Sequence, residues 1–299
     1  MDRHDPFPSP LPSPSLLLFR ALPLRRRVSP AHKHHRTAAG WADRPRTLLP
    51  ALIATMALAV VALAAGPAHG EGTLPDSLVY LRDIDPTIVQ DIRYASSNNF
   101  VGRPLDGYEA PECILRRDVA MALAQVQKDL AAANLGLKVY DCYRPTRAVR
   151  TMATWANDGR AGGATKRFYP KLQKNTLFGS GYIASRSAHS TGTAIDLTLV
   201  DLPPVQVAKF DPAATYGPCT GLVEERSPDN SLDMGTGYDC FDVTSWTRSG
   251  GINAEQRRRR EKFLSAMGRR GFSNYHREWW HFTYGAPYAY YDVPIRARR

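Results

Sequence analysis

Apolar and polar positions along this 299-residue chain follow two periods, and their succession marks out the elements. Over residues 116–133 apolar side chains fall at Val119, Leu123, Val126 and Leu130, the spacing of one helix face. That helix has to end before Gly136. Residues 137–143 read as a strand stopped by Pro145, and residues 146–156 read as a second helix opening just after that proline. Residues 253–267 form a third helical stretch, closed shortly afterwards by Gly271. Residues 195–200 and 280–284 alternate as strands do. Residues 78–92 should carry a short strand into Ile92-Arg93-Tyr94, and the Gly-, Asn- and Pro-containing stretch 98–111 is loop. Strands and helices mixed in this way, without a regular βαβ repeat, predict an α+β fold: one domain with a central antiparallel sheet flanked by helices.

The first 70 residues break the pattern. Pro6, Pro8, Pro10, Pro12 and Pro14 are followed by Arg25-Arg26-Arg27 and the cluster His32, His34 and His35, with no apolar period. This composition predicts disorder. An 18-residue apolar run then spans 48–65, preceded by Arg44 and Arg46 and followed by Ala68-His69-Gly70. That is the layout of a secretory signal with a cleavage site. The expectation is a leader over 1–70 and a mature catalytic domain over 71–299, exported and periplasmic, touching the membrane only transiently through the signal segment. A retained membrane anchor is the rival, since eighteen apolar residues can just span a bilayer. No cysteine precedes Cys113, which excludes a lipid-modified cysteine at the cleavage site.

Removing the leader changes the charge argument. The whole chain carries +11, with 39 basic and 28 acidic residues. Nine of the basic and three of the acidic residues lie in 1–70, so the remainder has 30 and 25, a net of +5. That balance gives no argument for a nucleic-acid partner and suits work near an anionic wall. The run Arg257-Arg258-Arg259-Arg260 reads as a solvated helix face.

The candidate chemistry lies in two stretches. Ser187-Ala188-His189 leads through Gly192 to Asp196, and Glu278-Trp279-Trp280-His281 follows far downstream. Of eight histidines, five fall in the leader; His189, His276 and His281 remain. Two imidazoles and a carboxylate with a fourth position open form a catalytic zinc set, and a further carboxylate beside it serves as base. His189, Asp196 and His281 are therefore the expected ligands of one zinc ion, with Glu278 as general base. Gly192 lets the backbone turn sharply between His189 and the strand that Asp196 opens. Trp279 and Trp280 should anchor the second stretch in the core. His276 has no such context.

The pattern S-x-H-x-x-G-x-A-x-D followed by E-x-W-H resembles the VanX-like zinc D-alanyl-D-alanine dipeptidases, within a clan of zinc D,D-peptidases that includes the Hedgehog signalling domain. The resemblance runs from about residue 80 to 294. It takes in Ile92-Arg93-Tyr94-Ala95, Asn99-Phe100, Gly107-Tyr108-Glu109, Asp141-Cys142-Tyr143-Arg144-Pro145 and Met234-Gly235. It implies the same α+β fold and zinc-dependent hydrolysis of a small D,D-dipeptide, D-Ala-D-Ala, to two D-alanines. Arg144 matches the arginine that stabilises the oxyanion, and an ion pair with Asp141 is its bland alternative. Ser187 matches a substrate-binding serine. Tyr94 and Tyr182 match residues lining the substrate pocket, with core packing as an equal alternative. Asp141 has two available roles: orienting Arg144 or holding the substrate ammonium. The segment ending in Tyr238-Asp239 matches a family loop and is read as structural. The closest rival activity is a zinc D,D-carboxypeptidase or endopeptidase acting on peptidoglycan stems. A wall-binding module with purely structural zinc is disfavoured, because such sites have four protein ligands and no spare base.

Four cysteines in an exported chain predict disulfides. Three connectivities are possible; the favoured one is Cys113–Cys142, which closes a short helix–strand return, with Cys219–Cys240, which brackets a Gly-, Pro- and Asp-rich loop. The best-known family member works in the cytoplasm, so these bridges would be a departure suited to an oxidising compartment. No cysteine lies in the metal motifs, which speaks against a cysteine nucleophile. An exported enzyme would meet dipeptide released from the wall and scavenge it.

Overall fold

The computed structural model describes residues 73–286 and 288–298. The proline-rich start, the His32–His35 cluster, the apolar run and the expected cleavage site all lie outside the described residues. Among the described residues no helix is long and apolar enough to cross a membrane.

The elements in order are β1 (Leu78–Tyr80), α1 (Leu81–Ile84), β2 (Val89–Gln90), β3 (Ile114–Arg116), α2 (Arg117–Ala131), β4 (Leu135–Asp141), α3 (Thr146–Ala156), β5 (Ala194–Asp201), α4 (Ala254–Gly268), β6 (Phe272–Asn274) and β7 (His281–Tyr284). The main sheet has the order β2-β4-β5-β7-β6, and β1 pairs with β3 in a second, two-stranded sheet. All pairs are antiparallel except the edge pair β2–β4, which is parallel. The α+β expectation therefore holds, with one parallel edge.

The helices form where the apolar spacing puts them. Val119, Leu123, Val126 and Leu130 of α2 are all buried. α3 spans the expected residues, with Pro145 as its N-cap. In α4 the Asn253 side chain accepts from the Gln256 backbone N–H and Gln256 reaches back to the Asn253 N–H, a reciprocal cap for an end that would otherwise leave donors unmet. β4 is buried along its whole length, and β5 everywhere but its last residue.

Two expectations need correction. The stretch 78–92 does not run as a strand into Ile92-Arg93-Tyr94. Only Val89 and Gln90 pair with β4, and Arg93–Ala95 forms a 3-10 turn. The turn buries Arg93 between Asp91 and Asp229 and swings Tyr94 inward. The arginine run of α4 is not wholly a solvated face. Arg257 and Arg258 are exposed, but Arg260 is 1% exposed and donates to the carbonyls of Met234, Trp246 and Thr244. Burial lowers its pKa to about 10. It has no acidic partner within hydrogen-bond reach among the described residues; its role is to fix the loop that follows Asp233.

Cys113–Cys142 and Cys219–Cys240 are both bonded, at sequence separations of 29 and 21 residues. The first ties the start of β3 to the end of β4. The second staples residues 202–252, a segment with only two short 3-10 turns of its own. Each bridge removes chain entropy from the unfolded state worth about 3–4 kcal/mol.

Candidate active site

Strand register builds the site. Asp141 of β4 stands opposite Asp196 of β5, and Asp196 stands opposite His281 of β7. Directly opposed residues of antiparallel strands share a face, so these three side chains form one row across the sheet. Ile195 and Phe282, one position away, point to the other face, where Phe282 meets Phe263 of α4.

His189 joins the row from a 3-10 turn, Ala188–Thr191. Ser187 caps that turn, its Oγ accepting from the His189 N–H, and Gly192 ends it at φ +73°. A side chain at Gly192 would also strike Leu78, with 2.6 Å to its Cδ2. The glycine is therefore required twice, by conformation and by space.

The donor atoms converge. His189 Nε2 lies 3.2 Å from His281 Nδ1 and 3.3 Å from Asp196 Oδ1, and the last two are 2.9 Å apart. The Cys142 carbonyl can only accept, so His189 Nδ1 donates to it, at 2.7 Å, and leaves the Nε2 lone pair facing the other two atoms. Tyr238 donates to the second Asp196 oxygen at 2.9 Å. Burial holds the His281 imidazole below its ordinary pKa, favouring the neutral form that ligates metals. A tetrahedral shell with bonds of about 2.0–2.2 Å spaces its ligand atoms roughly 3.3 Å apart. The three residues thus fit a small dication in distance, tautomer and outer hydrogen bonding.

Glu278 stands beside this set, its Oε2 3.8 Å from His281 Nδ1. Asn274 fixes the turn that carries it by donating to the carbonyls of Glu278 and His281. Trp279 and Trp280 are both buried, and Trp279 donates to Thr236, which anchors the segment as expected. Burial, with Asp196 and Asp239 nearby, pushes the Glu278 carboxyl well above its usual pKa. A dication in the His–Asp–His set would pull it back.

Arg144 makes the ion pair with Asp141, its Nε 2.9 Å and Nη2 2.8 Å from Oδ2. The pair does not remove it from the site, for Arg144 also lines the cavity, lies 3.6 Å from Asp196 and stacks over the Tyr94 ring. Asp141 is fully buried, accepts from Tyr108 as well, and does not line the cavity. Of its two available roles the geometry leaves orienting Arg144; a substrate ammonium has no route to it.

The cavity measures about 300 Å³, the small end of the usual ~300–1,000 Å³ for ligand pockets. Tyr94, Tyr182, Ser187, Arg144 and Glu278 all line it. The carboxylate that the residue pattern left without a role is Asp239. It lines the same cavity at φ +55° and accepts from the Tyr94 hydroxyl at 2.8 Å. Burial and the neighbouring Asp196 raise its pKa well above the usual range. An acid closing a Gly-rich loop was the available signal. His276 stays on the surface, away from the donor set.

The charges do not balance by themselves. Asp141, Asp196, Asp239 and Glu278 are all buried around one arginine, Arg144; burial raises the pKa of Asp141, Asp239 and Glu278, and full ionisation of the four would leave three negative charges in excess. Such an arrangement is costly unless cations enter it. A dication and one ammonium would close the deficit.

A mixed α+β scaffold with converging imidazoles and carboxylates over a small acidic cavity defines a metal-dependent hydrolase. The D-ala-D-ala dipeptidase model of peptidase family M15 matches residues 75–210 and 220–296, and the chain belongs to that family. A D-alanyl-D-alanine dipeptidase of Enterococcus faecium is 31% identical over 220 residues, 73% of this chain and 97% of that protein. One from Streptomyces coelicolor is 31% identical over 69% of this chain and 91% of its own length. One from Escherichia coli K12 is 28% identical over 69% and 83%. A solved vancomycin-resistance D,D-dipeptidase, VanXYg, in complex with a D-Ala-D-Ala phosphinate analogue, aligns with 69% of this chain and 66% of its own at 18% identity; its TM-score of 0.28 adds no argument.

Proposed function

We propose that the chain is a zinc dipeptidase that hydrolyses D-Ala-D-Ala to two D-alanines. The observation that carries this is the convergence of His189, Asp196 and His281 on a small cavity whose walls also present Glu278, Asp239 and Arg144. His189 Nε2, His281 Nδ1 and Asp196 Oδ1 would hold the zinc. When bound, it supplies Lewis acidity that acidifies water and polarises the scissile carbonyl.

The protein's own groups do the rest. Asp239, positioned by Tyr94, receives the substrate ammonium. Glu278 takes the proton of the attacking water as the new C–O bond forms. Arg144, held by Asp141, offers N–H groups to the oxygen on which negative charge develops. Glu278 then hands its proton to the departing amine as the C–N bond breaks, which leaves two amino acids. The placing of an acid where the ammonium ends the peptide, within about 300 Å³, favours a dipeptide over a wall stem in the carboxypeptidase or endopeptidase reading.

Purified zinc-loaded protein should release D-alanine from D-Ala-D-Ala. N-acetylation of the same peptide should lower kcat/KM about 100-fold or more, because Asp239 then faces a neutral amide and is left unpaired. Equal turnover of the acetylated peptide or of a stem pentapeptide would favour the rival activity.

We also propose that the enzyme is exported and scavenges dipeptide released from the wall. The apolar run with its small-residue site supports this, and so do two disulfides, which persist in oxidising compartments. The mature N-terminus should lie near Glu71 in the periplasmic or extracellular fraction, as read by N-terminal sequencing. An intact leader on membrane-embedded protein would instead establish an anchor.

A further inference from the structure

Arg186 is the cavity-lining cation that the proposed chemistry leaves unused. It precedes Ser187, and the two residues line both the active-site cavity and an adjoining hollow bounded by Thr146, Val149 and Tyr290. They therefore stand in the wall between the two spaces. Among the described residues Arg186 has no carboxylate partner, whereas Arg144, the other arginine of the cavity, is committed to Asp141. The Arg186 guanidinium lies 4.7 Å from the centre of the Tyr290 ring. This contact positions the side chain, and its N–H donors make no hydrogen bond among the described residues.

We propose that Arg186 receives the free α-carboxylate of the substrate and so selects peptides that end at the second residue. This rests on the dipeptidase reading. A dipeptide brings a carboxylate as well as an ammonium, and with Arg144 committed to Asp141 that carboxylate needs a further cation at the cavity wall. Arg186 supplies it, and Ser187 lines the cavity beside it. Asp239 and Arg186 together read the two ends of a zwitterion, so blocking either end should weaken binding. Because Arg186 touches a part of the substrate whose charge does not change in the reaction, its contribution is to ground state and transition state alike. It should appear in KM rather than in kcat.

The test compares D-Ala-D-Ala with its C-terminal amide on wild type, Arg186→Ala and Arg186→Lys. KM is measured for each substrate, or Ki where the amide is not turned over. Arg186→Ala should raise KM for the dipeptide about tenfold or more, the scale of a hydrogen bond to a charged group, with kcat changed far less. The amide should bind wild type and Arg186→Ala with similar strength, so the preference for the free carboxylate collapses. Arg186→Lys should restore part of that preference through its charge. The exposed position makes the replacements compatible with folding, and unchanged thermal melts and zinc content would establish this. An unchanged dipeptide KM in Arg186→Ala, or equal losses for dipeptide and amide, overturns the proposal while leaving the dipeptidase reading intact. Failure of wild type to cleave D-Ala-D-Ala overturns that reading, and the role of Arg186 falls with it.

Discussion

Glu278→Gln protein should bind zinc as wild type does and turn over D-Ala-D-Ala slower by a factor of about 10²–10⁴ or more, the usual contribution of a positioned acid–base group. Glutamine keeps the size of the side chain and can still line the cavity, but it cannot take a proton. Glu278 lies outside the three converging donor atoms, 3.8 Å from His281 Nδ1, so the metal set remains complete without its charge. The loss should fall on kcat and kcat/KM together, with KM changed far less, because the group acts on the path to the transition state. A second readout comes from stability. Glu278 is buried near Asp196 and Asp239, and burial with their charges disfavours its ionisation. Removing one of these crowded carboxylates should leave the metal-free protein at least as stable, so the melting temperature in chelator should hold or rise. Zinc content, kcat, KM and the melt are measured on one preparation. Retained zinc with near-normal kcat would end Glu278's candidacy as base. Lost zinc would make it a ligand and reopen the role of Asp196.

Local signals carried much of the architecture. The apolar face of α2, the proline before α3 and the glycine after α4 act within a few residues, and these helices lie within a residue or two of the expected places. The donor set was legible for a related reason: of the three histidines after residue 70, two stand in a metal-like pattern, and the structure brings both to Asp196. Long-range partnerships were harder to read. Arg93 leaves the strand path because Asp229 lies 136 residues onward in sequence. Arg260 looks like its exposed neighbours in the run and differs only in where its helix faces, over carbonyls of the 234–246 loop. Asp239 has no period and no nearby partner to mark it; its meaning comes from Tyr94, 145 residues away. Arg186 is an exposed loop arginine until the cavity and the charges around it are known.

His281→Ala should abolish zinc binding and lower turnover to background, and it is the cleaner of the two imidazole replacements. His189 is 1% exposed and donates to the Cys142 carbonyl, so replacing it opens a hole and leaves a buried acceptor unmatched. Its loss of zinc would therefore be mixed with a loss of stability. The His281 side chain is 16% exposed, and its Nδ1 contacts are to Asp196, His189 and Glu278, the members of the site itself. Asp196 remains tied to Tyr238 without it, and Arg144 remains tied to Asp141. In chelator, then, His281→Ala and wild type should melt at similar temperatures; in zinc, only wild type should gain, by the ligand linkage that stabilises any protein binding a metal in its folded state alone. A two-residue remnant of one imidazole and one carboxylate is too few donors to retain the ion through dialysis. Metal analysis after dialysis, paired with melts in zinc and in chelator, reads both effects. Near-full zinc in both His281→Ala and His189→Ala would refute the ligand set. Loss of zinc accompanied by collapse of the fold in His281→Ala would identify the metal as structural, and the catalytic roles of Glu278 and Arg144 would lose their footing with it.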